Sequence, residues 1–226
     1  MRLALAGDFV PFAVNVAARG VPEVVRPFLP LAELLGAQFS KLIDSPTSID
    51  VVFAGEIGGM DCRMLDLAVT KGLMSQRADV PVSYVNAEDL AEKHGVKINT
   101  RATTKTPSGL VNGIKVEGEG HSIAGTIDLV TGASRIISVD GITIELPSSE
   151  NLLFVLNEDE PGMIGQVGTI FGEAGINIDD MHLGRSSTGE LAVIALSTST
   201  PIPEVIVAKL NELPRVISVR DVSVPQ

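Results

Sequence analysis

Leu152-Leu153-Phe154-Val155-Leu156, then Asn157-Glu158-Asp159-Glu160-Pro161-Gly162, then an amphipathic run to Gly175: the reading of this stretch decides the fold. The five apolar residues have the length of a strand. Pro161 sits where a helix begins, since its missing N–H costs nothing in a first turn. Ile164, Val167, Ile170, Phe171 and Ala174 recur at three- and four-residue spacing, the pattern of a helix that buries one face. Gly175 is a left-handed stop for it. Beyond the stop, residues 176–183 read as a strand, Ser186-Ser187-Thr188-Gly189 as a turn and 191–196 as another strand. Pro203 opens a second helix with Ile206, Leu210 and Leu213 on one side, and 216–222 alternates as a last strand. The order β-α-β-β-α-β within about 75 residues is a split βαβ, ferredoxin-like unit. Its strand order, 4-1-3-2, puts the predicted strand 176–183 at an edge, and an open edge invites a partner.

Working outward, Pro147-Ser148-Ser149-Glu150 reads as a linker between a first domain, 1–146, and the ferredoxin-like domain, 151–226. The first domain reads as helices followed by an antiparallel sheet, so the whole chain is α+β. Residues 1–20 read as an extended lead-in, and Pro22, Pro27 and Pro30 then punctuate the chain. Leu31, Leu34, Leu35, Phe39 and Leu42 have helical spacing. Residues 48–57 read as a strand that Gly58-Gly59 breaks. Asp61 is the predicted N-cap of a helix carrying Leu65, Ala68, Val69, Gly72 and Leu73, and Asn86 that of a helix over 87–94. Strands are predicted at 96–103, 110–117, 121–129, 135–139 and 142–146. Glu117-Gly118-Glu119-Gly120 and Asp140-Gly141 are the hairpin turns.

Composition narrows the function. A length of 226 residues fits one large or two modest domains, and 45% hydrophobic against 20% charged residues supports a core. A net charge of −11 disfavours nucleic acid, whose phosphates need clustered Lys and Arg. No apolar run reaches membrane-span length, and the N-terminus is too short and soon too acidic for a signal peptide, so a soluble cytoplasmic protein is expected. Cys62 is alone, which excludes an internal disulfide and a Cys-based zinc site. His94, His121 and His182 lie far apart, with no metal or acid–base constellation around them. Nor is there a Ser or Cys nucleophile motif. No Gly-x-Gly-x-x-Gly occurs; Gly162, Gly165 and Gly168 lie inside the predicted helix, where such glycines permit close backbone packing. No catalytic and no metal-binding residue is expected.

What remains is binding. A free amino acid offers an ammonium group, for which Asn157 and Asp159 supply acceptors, and a carboxylate, for which the helix start supplies unpaired N–H groups at Gly162, Met163 and Ile164. Gly162 lets a ligand approach without a Cβ in the way. The bland alternative is that Asp159 caps the helix and Asn177 holds a turn. A second candidate is an anion pocket. Arg101, Thr103 and Lys105 share one face of a strand, with Lys115 and Arg135 on nearby hairpins. On an acidic chain the same residues also read as a solvated face.

A strand, Asn-x-Asp-x-Pro-Gly, a helix of this length and Gly-Ile-Asn-Ile together resemble an ACT domain, a small module that binds amino acids and regulates enzymes. The segments 3–11 and 13–16, Tyr84-Val85-Asn86-Ala87 and the closing hairpin 132–146 resemble the intervening domain, and what precedes it, of long-form D-3-phosphoglycerate dehydrogenase. In that family an ACT domain follows, as here. The resemblance implies a regulatory region of an L-serine biosynthetic oxidoreductase without its catalytic dehydrogenase domains, and NAD bound only by those domains. It implies that Asn157 and Asp159 bind L-serine or a similar small amino acid and that Asn177 joins from a neighbouring subunit, at the seam of a homodimer paired through ACT domains. Some members carry His where this chain has Asn157. For the intervening domain it implies a phosphorylated anion as ligand. Against that, Pro107-Ser108-Gly109-Leu110 offers no His or Arg, and Ile142 follows Asp140-Gly141 where a cation is expected. Two rival readings are a standalone amino-acid sensor and the small subunit of an iron–sulfur serine dehydratase, whose Ser-rich, His-containing opening is missing here.

Overall fold

A computed structural model describes residues 21–106, 111–128 and 130–224. The lead-in 1–20 with its family-like segments, the loop 107–110 and Leu129 lie outside the described residues. The described residues form two compact units, the first ending at Glu119 and the second starting at Gly120. The composition-based linker, 147–150, therefore lies inside the second unit.

In the first unit the helical spacing becomes α1, Phe28–Leu42, which buries Leu31, Leu35, Phe39 and Leu42. It crosses α2, Arg63–Ser75, where both helices carry a glycine. A Cβ on Gly72 would lie 1.9 Å from Glu33 O, and one on Gly36 would lie 2.1 Å from Val69 O, so the two backbones touch. In sequence the two helices are separated by β1, Ser48–Gly55, with Ile49, Val51 and Phe53 fully buried. The strand stops two residues earlier than expected, because Gly55 turns left-handed (φ 88°) into a 3-10 turn over Ile57–Gly59. The cap of α2 also differs. Cys62 occupies that position, and Asp61 instead holds Arg63, whose Nη2 donates at 2.5 Å. Asn86 does precede α3, Ala87–Lys93, but its side-chain carbonyl accepts from Ser83 N at 2.7 Å rather than capping the helix.

After α3, strand β2, Lys97–Thr103, pairs with β1 in parallel. The sheet is thus not wholly antiparallel as expected. Two strands separated by helices can return side by side in the same direction, which a tight turn forbids. Strand β3, Asn112–Gly118, pairs antiparallel on the other side of β1, giving the order β2-β1-β3.

In the second unit β4, His121–Ile127, β5, Ser134–Val139, and β6, Ile142–Pro147, form consecutive antiparallel pairs. Asp140 and Gly141 both take positive φ, as a two-residue hairpin turn requires. The ferredoxin-like order comes next: β7 Leu152–Glu158, α4 Met163–Glu173, β8 Asp180–Arg185, β9 Leu191–Ser197, α5 Glu204–Asn211 and β10 Val216–Asp221. Its sheet has the order β10-β7-β9-β8, the expected 4-1-3-2. One face carries α4 and α5 over a core that includes Val155, Val167, Phe171, Ile194, Ile206 and Leu210. The other face is also covered, for β6 packs on β8 and β9. There a Cβ on Gly184 would lie 2.4 Å from Thr143 O.

Two expectations change in this domain. The strand predicted at 176–183 starts at Asp180 and runs to Arg185. Ile176 and Ile178 are apolar because they pack on the core from a loop. The glycines of α4 do not mark close packing among the described residues either, since a Cβ on Gly165, Gly168 or Gly172 would meet none of them within 4 Å.

Candidate functional site

Strand β7 sends Leu153, Val155 and Asn157 to the same face by alternation, toward the helices. Asn157 closes that series at the end of the strand from which α4 is reached. It is 1% exposed. Its Nδ2 donates to Glu158 O at 2.6 Å, while its Oδ1 is buried without a hydrogen-bond partner among the described residues. A buried carbonyl oxygen left unpaired is costly and calls for a reason.

Helix α4 begins beyond a left-handed Gly162 (φ 95°), around which a Cβ would meet nothing within 4 Å. No side chain caps it. The amide of Gln166 finds Gly162 O at 3.1 Å, and the amides before it form the unpaired first turn. Met163 is buried beneath this turn and Ile164 is 47% exposed above it. Asp159 does not cap α4. It accepts Arg185 Nε at 2.5 Å, and its own amide donates to Glu190 O at 3.0 Å. Glu158 pairs with Arg215, which also lies 3.4 Å from Glu160.

Arg185 was not legible in the sequence because the predicted strand ended at Leu183. The signal available was alternation. Met181, Leu183 and Arg185 fall on one face, so a strand two residues longer carries a cation to the helix side. The registers place Asn157 opposite Ala192 and Ala192 opposite Arg185, a row across the end of the sheet with a small residue in the middle.

The structure thus brings Asn157, Asp159, Gly162, Met163 and Ile164 to one end of the domain, with Arg185 beside them. Asn177 lies elsewhere. Strand β8 begins level with Leu152, at the opposite end of β7, and Asn177 precedes it. Its Nδ2 donates to Asp179 at 2.8 Å, and Asp179 also accepts Ser199 Oγ at 2.5 Å.

Three of the four candidate anion ligands sit among carboxylates. Arg101 and Lys115 flank Val52 on one face of the first unit's sheet. Arg101 pairs with Asp50 at 2.6 Å and Lys115 with Glu117 at 2.5 Å. In the second unit Arg135 lies 3.5 Å from Glu145 and 3.9 Å from Asp128. The amide of Lys105 donates to Thr103 Oγ1 at 3.1 Å. A cleft of about 440 Å³ in the first unit is lined by acidic side chains, Asp66, Glu88 and Glu92, with Lys97 the one basic contributor among the described residues. Cys62 is buried and donates to Ile57 O at 3.1 Å. Burial, with Asp61 and Asp66 nearby, pushes its thiol pKa up, away from the reactive thiolate. Among the described residues no group of three His, Cys, Asp or Glu could hold a metal ion, and no helix is long and apolar enough to cross a membrane.

Comparison with known proteins matches this architecture in two parts. Residues 24–140 match the D-3-phosphoglycerate dehydrogenase intervening domain and residues 151–215 the ACT domain. The chain is 34% identical over 208 residues to a D-3-phosphoglycerate dehydrogenase of Mycobacterium leprae, covering 90% of this chain and 39% of that protein. It is 34% identical over 217 residues to one of Synechocystis sp., covering 92% of this chain and 38% of that protein. One of Methanocaldococcus jannaschii is 29% identical over 229 residues, covering 97% and 42%. The chain therefore spans about two fifths of the length of these relatives. With an intervening-domain match over half its length and an ACT domain after it, the chain belongs to the D-3-phosphoglycerate dehydrogenase intervening-domain family and corresponds to the C-terminal regulatory part of that dehydrogenase.

Proposed function

We propose that this region binds a small α-amino acid, L-serine first among candidates, at the start of α4, and that binding restrains an NAD-dependent phosphoglycerate dehydrogenase to which it is joined. The observation that carries the reading is the buried, partnerless Oδ1 of Asn157 beside an uncapped helix start. An ammonium donor satisfies that oxygen. A carboxylate satisfies the first-turn amides and the positive end of the helix dipole. Feedback follows only if the amino acid binds one inter-subunit arrangement better than another. NAD belongs to the catalytic domains in this reading; no Gly-x-Gly-x-x-Gly turn in this chain fits it. The family matches support a division into an intervening domain, 1–146, and an ACT domain, 151–226. The protein works in the cytoplasm.

The partner in this reading is a second copy, joined along β8. That strand ends the sheet and pairs only with β9 among the described strands. Two-fold pairing of end strands is antiparallel, so it lays the start of one β8 beside the end of the other. The partner copy's loop that precedes β8 then meets the Arg185 end, which accounts for a contribution from Asn177 that one chain alone does not make.

The test is thermal melting of the chain with each of the twenty amino acids. A ligand at a hundredfold excess over its Kd stabilises by about 2.7 kcal/mol. L-Serine is expected to raise the melting temperature, and the absence of a shift with every amino acid would remove the proposal.

A further inference from the structure

We infer that Arg185 is a ligand-binding residue of this site, taking the carboxylate of an amino-acid zwitterion, and that Asp159 occupies it until the ligand arrives. This rests on the amino-acid reading above and deepens it, naming the carboxylate's cationic partner and the origin of selectivity. Arg185 and Asn157 face the helix layer at the same level of the sheet, with Ala192 between them. Two strand spacings, about 10 Å, separate their backbones, with the small and fully buried Ala192 between them. Arg185 bonds Asp159 through Nε alone; its two Nη groups make no hydrogen bond among the described residues. The fork that grips a carboxylate with two parallel bonds is therefore open.

The chemistry follows from charge matching. A zwitterion entering between Arg185 and Asp159 brings a carboxylate to the guanidinium and an ammonium to Asp159 and the partnerless Asn157 Oδ1. Each charge of the bridge exchanges one partner for another, and none is stranded. A ligand with only the carboxylate or only the ammonium has to break the bridge and leave one side unmatched. The bridge thus selects for molecules that carry both groups. Its arginine is 59% exposed, and exposed pairs are weakly held, so the right ligand opens it at low cost.

The experiment is titration calorimetry on the full chain with L-serine, or whichever of the twenty amino acids binds best, together with its decarboxy and desamino analogues. For serine these are ethanolamine and 3-hydroxypropanoate. The variants are Arg185→Gln, Arg185→Lys and Asp159→Asn, compared with wild type. Arg185→Gln is expected to weaken the amino acid about 10- to 100-fold, the worth of a charge-assisted bond, and to strengthen ethanolamine by freeing Asp159. Asp159→Asn is expected to strengthen 3-hydroxypropanoate by freeing Arg185. Arg185→Lys, which keeps the charge and loses the fork, is expected to fall between wild type and Arg185→Gln. A merely structural arginine gives no such crossed change. Binding of the amino acid by Arg185→Gln within twofold of wild type overturns this inference alone. A wild-type chain that binds none of the twenty overturns both it and the function proposed above.

Discussion

Gly72→Ala and Gly168→Ala are the same chemical change in the middle of a helix, and the structure gives them opposite signs. In a free helix each adds about 1 kcal/mol, because alanine has less backbone freedom to lose. At Gly72 the new Cβ lies 1.9 Å from Glu33 O, about 1.5 Å short of the 3.4 Å at which ordinary contact begins. The obstacle is a backbone carbonyl of α1, which cannot swing aside as a side-chain tip can. The helices have to part, and the Lys71–Glu33 bond of 2.5 Å beside the contact is strained with them. Overpacking of this kind costs about 3 kcal/mol or more, so the net loss is about 2 kcal/mol at least. At Gly168 the Cβ meets nothing within 4 Å, and the net change is a gain of about 1 kcal/mol. Urea denaturation followed by circular dichroism, at a protein concentration low enough to keep copies apart, measures both. A Gly72→Ala chain as stable as wild type, or a Gly168→Ala chain less stable than Gly72→Ala, would refute the reasoning.

Three further outcomes are expected. Arg77 donates to Asp44 O at 2.8 Å, Ser40 O at 2.9 Å and Ile43 O at 2.7 Å, closing the end of α1, so Arg77→Met should cost about 2–4 kcal/mol in a urea melt. Burial raises the Asp66 pKa above its ordinary 3.8, against the bond donated by Thr100, and Glu88 adds to the rise. The folded chain then binds this proton more tightly than the unfolded chain, so stability falls as pH rises from 3.8 through the raised folded value. Asp66→Asn should melt above wild type at pH 7 and lose that advantage as the pH is lowered toward 3.8; a constant gap would count against the burial argument. Asn157→Leu removes a buried oxygen without a partner, a liability of about 1–3 kcal/mol, so it should melt no lower than wild type while losing the shift with amino acids. Calorimetry of the variant with and without L-serine checks both halves.

The ACT fold was readable because independent signals agreed. Pro161 and Gly175 bracket a helical period, alternation marks the flanking strands, and Gly175 ends α4 left-handed (φ 69°) as expected. Position along the edge strand was not readable. Ile176 and Ile178 have the hydrophobicity of strand residues but are buried from a loop, and they drew the predicted strand toward the N-terminus by four residues. That displacement hid Arg185 and with it the partner of Asp159. The parallel pairing of β1 with β2 was missed although the helices between them were seen, because strand direction was read from the later hairpins. Glycines were the hardest residues to read. Gly72 in α2 and Gly168 in α4 sit in similar apolar helical patterns. Only the neighbouring helix, a fact of tertiary packing, separates a contact that needs glycine from one that does not.

Several unrepaid departures from good local design meet at α4 and at the strand end that leads to it. In α1 and α2 the glycines are compensated, since they bring two backbones into contact. At α4 the helix start has no side-chain cap, the buried oxygen of Asn157 at the end of β7 has no partner among the described residues, and a Cβ on any of three glycines would meet none of the described residues within 4 Å. At ordinary values these together cost about 5 kcal/mol or more. A domain is stable by only about 5–15 kcal/mol, so a deficit of that size at one place is a large share of the whole. An amino acid at the helix start would supply the missing cap and the missing donor. A second copy along β8 would bring its own α4 toward the bare glycine face. The two sources of compensation are adjacent, so each stabilises the element that the other needs, and amino-acid binding should tighten the pairing of copies. Sedimentation at increasing L-serine concentration reads this directly: a dimer dissociation constant that falls with ligand is expected, and one that stays fixed at saturating ligand would show that the bare helix start and the bare glycine face are unconnected features.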